Sequence, residues 1–187
     1  MIYGKRVHLR AFDVHDIPKR VSWMNDPDFR QYLNAPFPVS EASTRRWLDR
    51  LVSDPSRIDL LICLNEGNQV IGYLGFRGID LQNQKAETYI GIGERAQRGK
   101  GYAKEAHILS LSYIFNQYPL NMVYVKCRPE NTAVIAMNKS VGFHLDGVIR
   151  SDLYSHGGFR DMAYLTLLRD EFHHRSDQSE EEQEKAH

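Results

Sequence analysis

The amino-acid sequence predicts an α/β fold in which a mixed sheet of about seven strands carries helices on both faces. Three observations lead there. Short apolar or alternating runs bounded by turn residues recur between Tyr3 and Leu168, as strands do. Four stretches instead repeat apolar residues at helical spacing. Two of these helices fall between single strands late in the chain, where a crossover must return the backbone to the same sheet. At 187 residues, with 42% hydrophobic and 26% charged, the chain has room for one domain with a sizeable core.

Tyr3 to Ala11 alternates, with Val7, Leu9 and Ala11 on one face, and reads as a first strand. Asp13 is a candidate N-cap for a helix reaching Asn25, along which Val14, Ile17, Val21 and Met24 recur at helical spacing. Asp26 to Val39 is a loop rich in proline and aromatics; its Phe29, Tyr32 and Phe37 either wall a substrate site or pack over the core. Ser40 opens a second helix through Val52, with Trp47, Leu48 and Leu51 as its buried stripe. Ile58 to Leu64 and Gln69 to Ile79, joined by Asn65-Glu66-Gly67-Asn68, make a hairpin. Gly72, Gly75 and Gly78 in its second strand mark a bulge or a backbone passing close.

After the polar turn Asp80 to Lys85, Ala86 to Ile92 forms the fourth strand, and a helix buried over a wide face runs from Tyr102 to Phe115. Met122 to Cys127 has the apolar character of a central strand. Arg128-Pro129-Glu130-Asn131 then turns into a helix carrying Val134, Met137 and Val141, with Gly142 as its stop. Gly147 to Asp152 and Asp161 to Leu168 are the last two strands. Ser176 to His187 is almost wholly polar and acidic and is expected to be a disordered tail, leaving 1–175 as a single domain.

Lysines and arginines number 24 and so do aspartates and glutamates, so nothing at the whole-chain level argues for a nucleic-acid or membrane partner. Cys63 and Cys127 lie in apolar runs without a metal or redox spacing, which suits reduced core thiols. The charged, alternating N-terminus is no signal peptide, and no apolar run approaches the ~20 residues of a membrane span, so a soluble, cytoplasmic protein is expected. His173-His174 has no acidic or cysteine partner at ligand spacing, and no metal site is expected.

The stretch that points to chemistry is Arg98-Gly99-Lys100-Gly101-Tyr102-Ala103, at a strand-to-helix junction. Two glycines and two cations there gather backbone N–H groups and the positive end of a helix dipole around one point, as a diphosphate requires. It is not a Walker loop, which needs four residues between Gly and Gly-Lys-Ser/Thr. It is not a dinucleotide fingerprint either, because position 104 is Lys where the third glycine would stand. A plain turn into a helix is the remaining alternative.

Read as Arg-x-x-Gly-x-Ala, the loop resembles the acyl-CoA pyrophosphate loop of the GNAT superfamily of N-acetyltransferases. Glu130-Asn131-Thr132-Ala133 followed by Gly142-Phe143 is similar to a second segment of that family. Gly4 to Arg10, Trp23, Ala86-Glu87, Gly101 to Ala106 and Arg160-Asp161 narrow the likeness to the RimJ/RimL-like branch. The resemblance spans nearly the whole chain. It implies a mostly antiparallel sheet and acetyl-CoA as co-substrate. The acceptor it implies is a primary amine: a protein N-terminus, a polyamine, an aminoglycoside or a nucleotide-linked amino sugar.

The resemblance also distributes roles. Arg98, Gly99, Lys100, Gly101, Tyr102 and Ala103 would hold the pyrophosphate, the backbone at Ile90 and Ile92 the pantetheine, and Asn131 its arm unless it only caps a helix. Glu87, on the strand entering the loop, would take the proton of the amine, with Tyr89 sharing its face. Asn138 stands where many relatives have a tyrosine that protonates the leaving thiolate. An amide cannot supply that proton, although it can hydrogen-bond sulfur, so solvent, Ser140 or Tyr102 would have to serve. The same departure prompts a competing reading, a non-catalytic acyl-CoA sensor. Sheet edges between Arg160 and Leu168 could pair two copies into a homodimer.

Overall fold

The computed structural model describes residues 1–31, 33, 37–155 and 157–174. Tyr32 and the expected tail from Ser176 onward lie outside these residues. The strands are β1 (Ile2–Tyr3), β2 (Val7–Ala11), β3 (Ile58–Leu64), β4 (Val70–Asp80), β5 (Lys85–Ile92), β6 (Met122–Cys127), β7 (His144–Ser155) and β8 (Gly158–Leu168). The helices are α1 (Ile17–Asn25), α2 (Pro27–Arg30), α3 (Glu41–Val52), α4 (Tyr102–Gln117) and α5 (Thr132–Val141). All eight strands form one sheet in the order β1-β2-β3-β4-β5-β6-β8-β7, antiparallel throughout except for β5 beside β6.

The strand count differs from the expected seven because the first run breaks. Gly4 turns the chain, its N–H donating to the carbonyl of Val7 at 2.8 Å, and β1 folds back antiparallel on β2. The Glu105 carboxylate of α4 caps this turn by accepting the backbone N–H groups of Arg6 and Val7. A carboxylate 98 residues away from Val7 is invisible to a local pattern. The short α2 inside the proline-rich segment is also unanticipated; Pro27 sits in its first turn and Asp26 caps it.

Helices cover both faces of the sheet. On one, α4 and α5 bury Leu111, Ile114, Phe115 and Val141 against Phe76, Val123, Val125, Leu165 and Leu167, while Ala106 joins Val7, Leu9, Ile62 and Leu74. On the other, Trp23 and Met24 of α1 pack on Leu61, Cys63 and Tyr73. Trp47 of α3 meets Phe12 edge to face at 5.3 Å between ring centroids. Cys63 and Cys127 are both buried and free, in separate clusters. No helix among the described residues is long and apolar enough to cross a membrane.

Of the two conditions expected of the glycines in β4, Gly75 meets the close approach of another backbone, while the register shifts of the strand lie elsewhere, opposite Ile62–Cys63 and between Arg77 and Asp80. A Cβ there would collide with the backbone oxygen of Ile58 and lie 2.5 Å from the phenol oxygen of Tyr89. The missing side chain lets Tyr89 lie across β4 toward β3. Gly75→Ala should cost about 1–3 kcal/mol by overpacking, read as a lowered urea midpoint with unchanged slope, and should quench any function that depends on Tyr89.

Candidate functional site

The parallel pair β5·β6 is brief. Its register runs only from Lys85↔Met122 to Glu87↔Tyr124, yet β5 stays paired with β4 as far as Ile92 and β6 with β8 as far as Cys127. Beyond Glu87 and Tyr124 the two strands part. The split leaves the backbone of Thr88 to Ile92 with a ladder on one side only, an edge to which another extended group can add.

From the end of β5 the chain passes through a short 3₁₀ turn, Arg95–Gln97, into the glycine loop and α4. Gly99 and Gly101 have φ of 75° and 82°, a left-handed region that side chains disfavour. Gly101 is the N-cap of α4 and offers no side chain, and among the described residues nothing accepts from the first-turn amides. Four orphan N–H groups and the positive helix end are therefore available to an anion.

The cations of the loop divide. Among the described residues the Lys100 ammonium reaches only Gln97, at 3.0 Å, on the surface. Arg98 is turned back to the strand, donating to the carbonyls of Ile92 at 3.0 Å and Gly93 at 3.2 Å. Arg98 thus ties the loop to β5. Arg6 was not anticipated: it pairs with Glu105 at 2.8 Å, donates to the carbonyl of Lys100 at 3.0 Å and lies over the Tyr102 ring. Against the upward push of burial, the N–H and guanidinium of Arg6 hold the Glu105 carboxyl below its ordinary range. Ala103 follows in the first turn, partly buried.

Alternation along β5 sorts its side chains. Ile90 and Ile92 pack toward α4 with Leu74 and Ile71, and Thr88 accepts or donates at 3.3 Å with His107 of that helix. Glu87 and Tyr89 take the opposite face. Glu87 is 8% exposed and held by the Arg77 guanidinium at 2.5 Å. Arg77 is raised by that bond despite burial. Tyr124 is raised by burial and then by the charge of Glu87, as expected of its partner at the split. Lys126, two residues on, is raised by Tyr164 and Glu87 although burial alone would lower it.

Tyr89 accepts from Arg57 at 3.3 Å, and burial, then the nearby Asp59 charge, raise its phenol. Phe29 stands over the end of β5, 2.8 Å from where a Cβ on Gly91 would be, and packs edge-on with Tyr73. Trp23 covers Gly93 likewise and donates to Glu94 at 2.9 Å. Phe37 is apart from these, 59% exposed beneath Arg30. The structure therefore joins Phe29 to Tyr89 through Tyr73, and leaves Phe37 outside that group.

On the α5 side, Asn131 caps the helix, accepting the N–H of Val134 at 3.3 Å. Asn138 is fully buried; its amide donates to the carbonyl of Val134 at 2.9 Å and its Oδ1 has no partner among the described residues. With the amide oriented this way, the free atom is an acceptor.

A split parallel pair, uncapped amides at the start of the following helix, and a carboxylate at the point of divergence are the parts needed to hold an extended acyl carrier beside a base. The profile of the family described as "Acetyltransferase (GNAT) domain" matches residues 6–144. The chain belongs to the GNAT acetyltransferases. This N-acetyltransferase is 30% identical over 177 residues to "Uncharacterized N-acetyltransferase p20" of Bacillus licheniformis, which covers 91% of this chain and 97% of that protein.

Its fold matches the spermidine N-acetyltransferase of Vibrio cholerae solved with CoA and spermine, at TM-score 0.82 and 19% identity, covering 90% of this chain and 99% of that one. It also matches RimL, a ribosomal L7/L12 α-N-protein acetyltransferase solved with coenzyme A, at TM-score 0.79 and 20% identity over 89% and 96%. RimL-like proteins are thus among the structural relatives of this GNAT enzyme, and membership of the family makes it an acyltransferase.

His107 supplies a pH handle on this region. Complete burial lowers its pKa from 6.5 to about 4, so the folded state keeps it neutral where the unfolded chain binds a proton. Stability should therefore be full above pH 6.5 and fall by about 3 kcal/mol on acidification toward pH 4. Urea midpoints across that window test this, and His107→Gln, uncharged throughout, should flatten the profile.

Proposed function

We propose that this GNAT enzyme transfers the acetyl group of acetyl-CoA to a primary amine by direct attack within a ternary complex. The observation that carries this reading is the position of Glu87, the last paired residue before β5 and β6 part, on the strand that leads into the uncapped start of α4. The first-turn amides from Gly101 onward, with Lys100 nearby, would hold the diphosphate; the free edge of β5 beyond Glu87 would pair with the pantetheine amides. That the two structural relatives above were solved with coenzyme A supports this co-substrate.

Acetyl-CoA supplies an activated acyl group, and the chain supplies position and a proton acceptor. An alkylammonium titrates near ~10, so the nucleophile must lose a proton before it attacks. The Glu87 carboxylate, paired with Arg77, accepts that proton directly or through one water. The amine nitrogen then bonds to the thioester carbonyl carbon, a backbone N–H of Thr88 to Ile92 holds the oxyanion, and the C–S bond breaks to release thiolate. Such a donor, when aimed, contributes roughly 3 kcal/mol. With Asn138 bonded to Val134, the thiolate takes its proton from solvent or leaves as the anion, which a thiol pKa of about 8.5 permits.

The acceptor is either a protein N-terminal amine or a small amine such as a polyamine, an aminoglycoside or an amino sugar. Thiol release from acetyl-CoA against a basic N-terminal peptide, spermidine, an aminoglycoside and a nucleotide-linked amino sugar sorts these branches. Glu87→Gln should lower kcat by about 10²–10⁴ and remove the acidic limb of the pH–rate profile, with acetyl-CoA affinity retained. An unchanged profile would eliminate Glu87 as the base. Arg6→Ala, which frees the loop from Glu105, should weaken acetyl-CoA binding by about tenfold in calorimetry with little effect on saturated turnover.

A further inference from the structure

The charges around Glu87 are layered. The Asp59 and Glu87 side chains are 1% and 10% exposed, whereas the guanidinium groups paired with them, Arg57 and Arg77, are 28% and 54% exposed. The acids point inward and the cations face solvent. Both guanidinium carbons lie over the same Tyr89 ring, 5.8 Å and 5.7 Å from its centroid, so two like charges flank one ring and each feels the other's field. Each keeps unused donors. Arg77 gives Nη2 to Glu87, and Arg57 gives Nε and Nη2 to Asp59 and Tyr89; Nη1 of both has no acceptor among the described residues.

A third cation, Lys126, flanks Glu87 from β6, with its ammonium 5.3 Å from the Tyr164 centroid and 3.8 Å from Asp152. The carboxylates nearest these rings, Asp59, Glu87 and Asp152, are each matched by a cation. A polycationic acceptor would meet outward guanidinium groups there, and its nearest acids, Asp59 and Glu87, are already paired. An acceptor with an anion of its own would relieve the repulsion between Arg57 and Arg77 and fill their open donors with charge-assisted bonds.

We propose that the acceptor is a primary amine that also bears a carboxylate, and that Arg57 and Arg77 bind this carboxylate while the amine faces Glu87. The inference rests on the acetyl-transfer reading above and narrows it. The carboxylate comes either from a small amino acid or from an acidic residue at the start of a peptide. Both present the same pair of groups a few bonds apart.

Matched acceptors test it with the full-length enzyme: β-alanine against propylamine, and an aspartyl against an asparaginyl dipeptide amide, with spermidine as the polycation. In at least one pair the carboxylate-bearing member should show kcat/KM at least tenfold higher, and added salt should shrink that ratio. Which pair responds identifies the source of the carboxylate. Equal rates within both pairs, or a clear preference for spermidine, would overturn the proposal.

Arg57→Gln combined with Asp59→Asn removes one guanidinium without stranding a buried carboxylate, and should pull the ratio toward one; Arg57→Lys should restore part of it. If no acceptor is turned over, acetyl transfer to amines fails as a reading, and binding still decides the present point. Calorimetry with N-acetyl-β-alanine and N-acetyl-aspartyl amide in the presence of coenzyme A should give saturable binding of one of them, lost in the double variant. No binding of either to the unaltered protein would refute the carboxylate site.

Discussion

The rest of the molecule depends on where two parallel strands stop pairing. Parallel neighbours need a crossover, and α4 supplies it between β5 and β6. Three paired residues hold the strands together at one end; beyond them β5 follows β4 and β6 follows β8. The sheet therefore opens without an unsupported strand, because each half retains an antiparallel partner. Everything assigned to the site is arranged around that opening: the free edge of β5, the start of α4, and the two side chains that face each other where pairing ends.

Opening a sheet exposes backbone polar groups and removes packing, so the flanking halves must be rigid. The larger cluster between the α4–α5 layer and the sheet keeps β6, β8 and β5 together through Val123, Leu165 and Ala86. On the opposite face Trp23 and Phe29 lie on the glycines that end β5. Glu94 anchors the strand exit to α1 through Trp23 and Lys19, and its carboxyl is lowered first by the Lys19 bond. The site is held by short-range contacts that come from segments distant in sequence.

That distance explains what could be read beforehand. The helices α1, α3, α4 and α5 and the strands from β3 to β6 follow from apolar period and turn residues, which are local. Gly99 and Gly101 signalled their unusual backbone through residue type alone. The break at Gly4 escaped because its cause, Glu105, lies on another element. Arg57, Arg77 and Tyr124 escaped because strand register decides who faces Glu87 and Tyr89, and register is not written in any single strand. Phe29 and Phe37, alike in sequence, parted because only Phe29 has a glycine beneath it. Asn131 did what its residue type does at a helix start.

Glu105 links two features that otherwise have no reason to communicate. One carboxylate accepts two backbone amides of the β1–β2 turn and the guanidinium that also grips the carbonyl of Lys100. Whatever stiffens the start of α4 must also stiffen the first ten residues, and the coupling is reciprocal. The N-terminal hairpin is in this sense an extension of the glycine loop. A fusion or trimming at Met1 would reach an anion bound at the far edge of the loop without touching it, by loosening the one side chain both ends share.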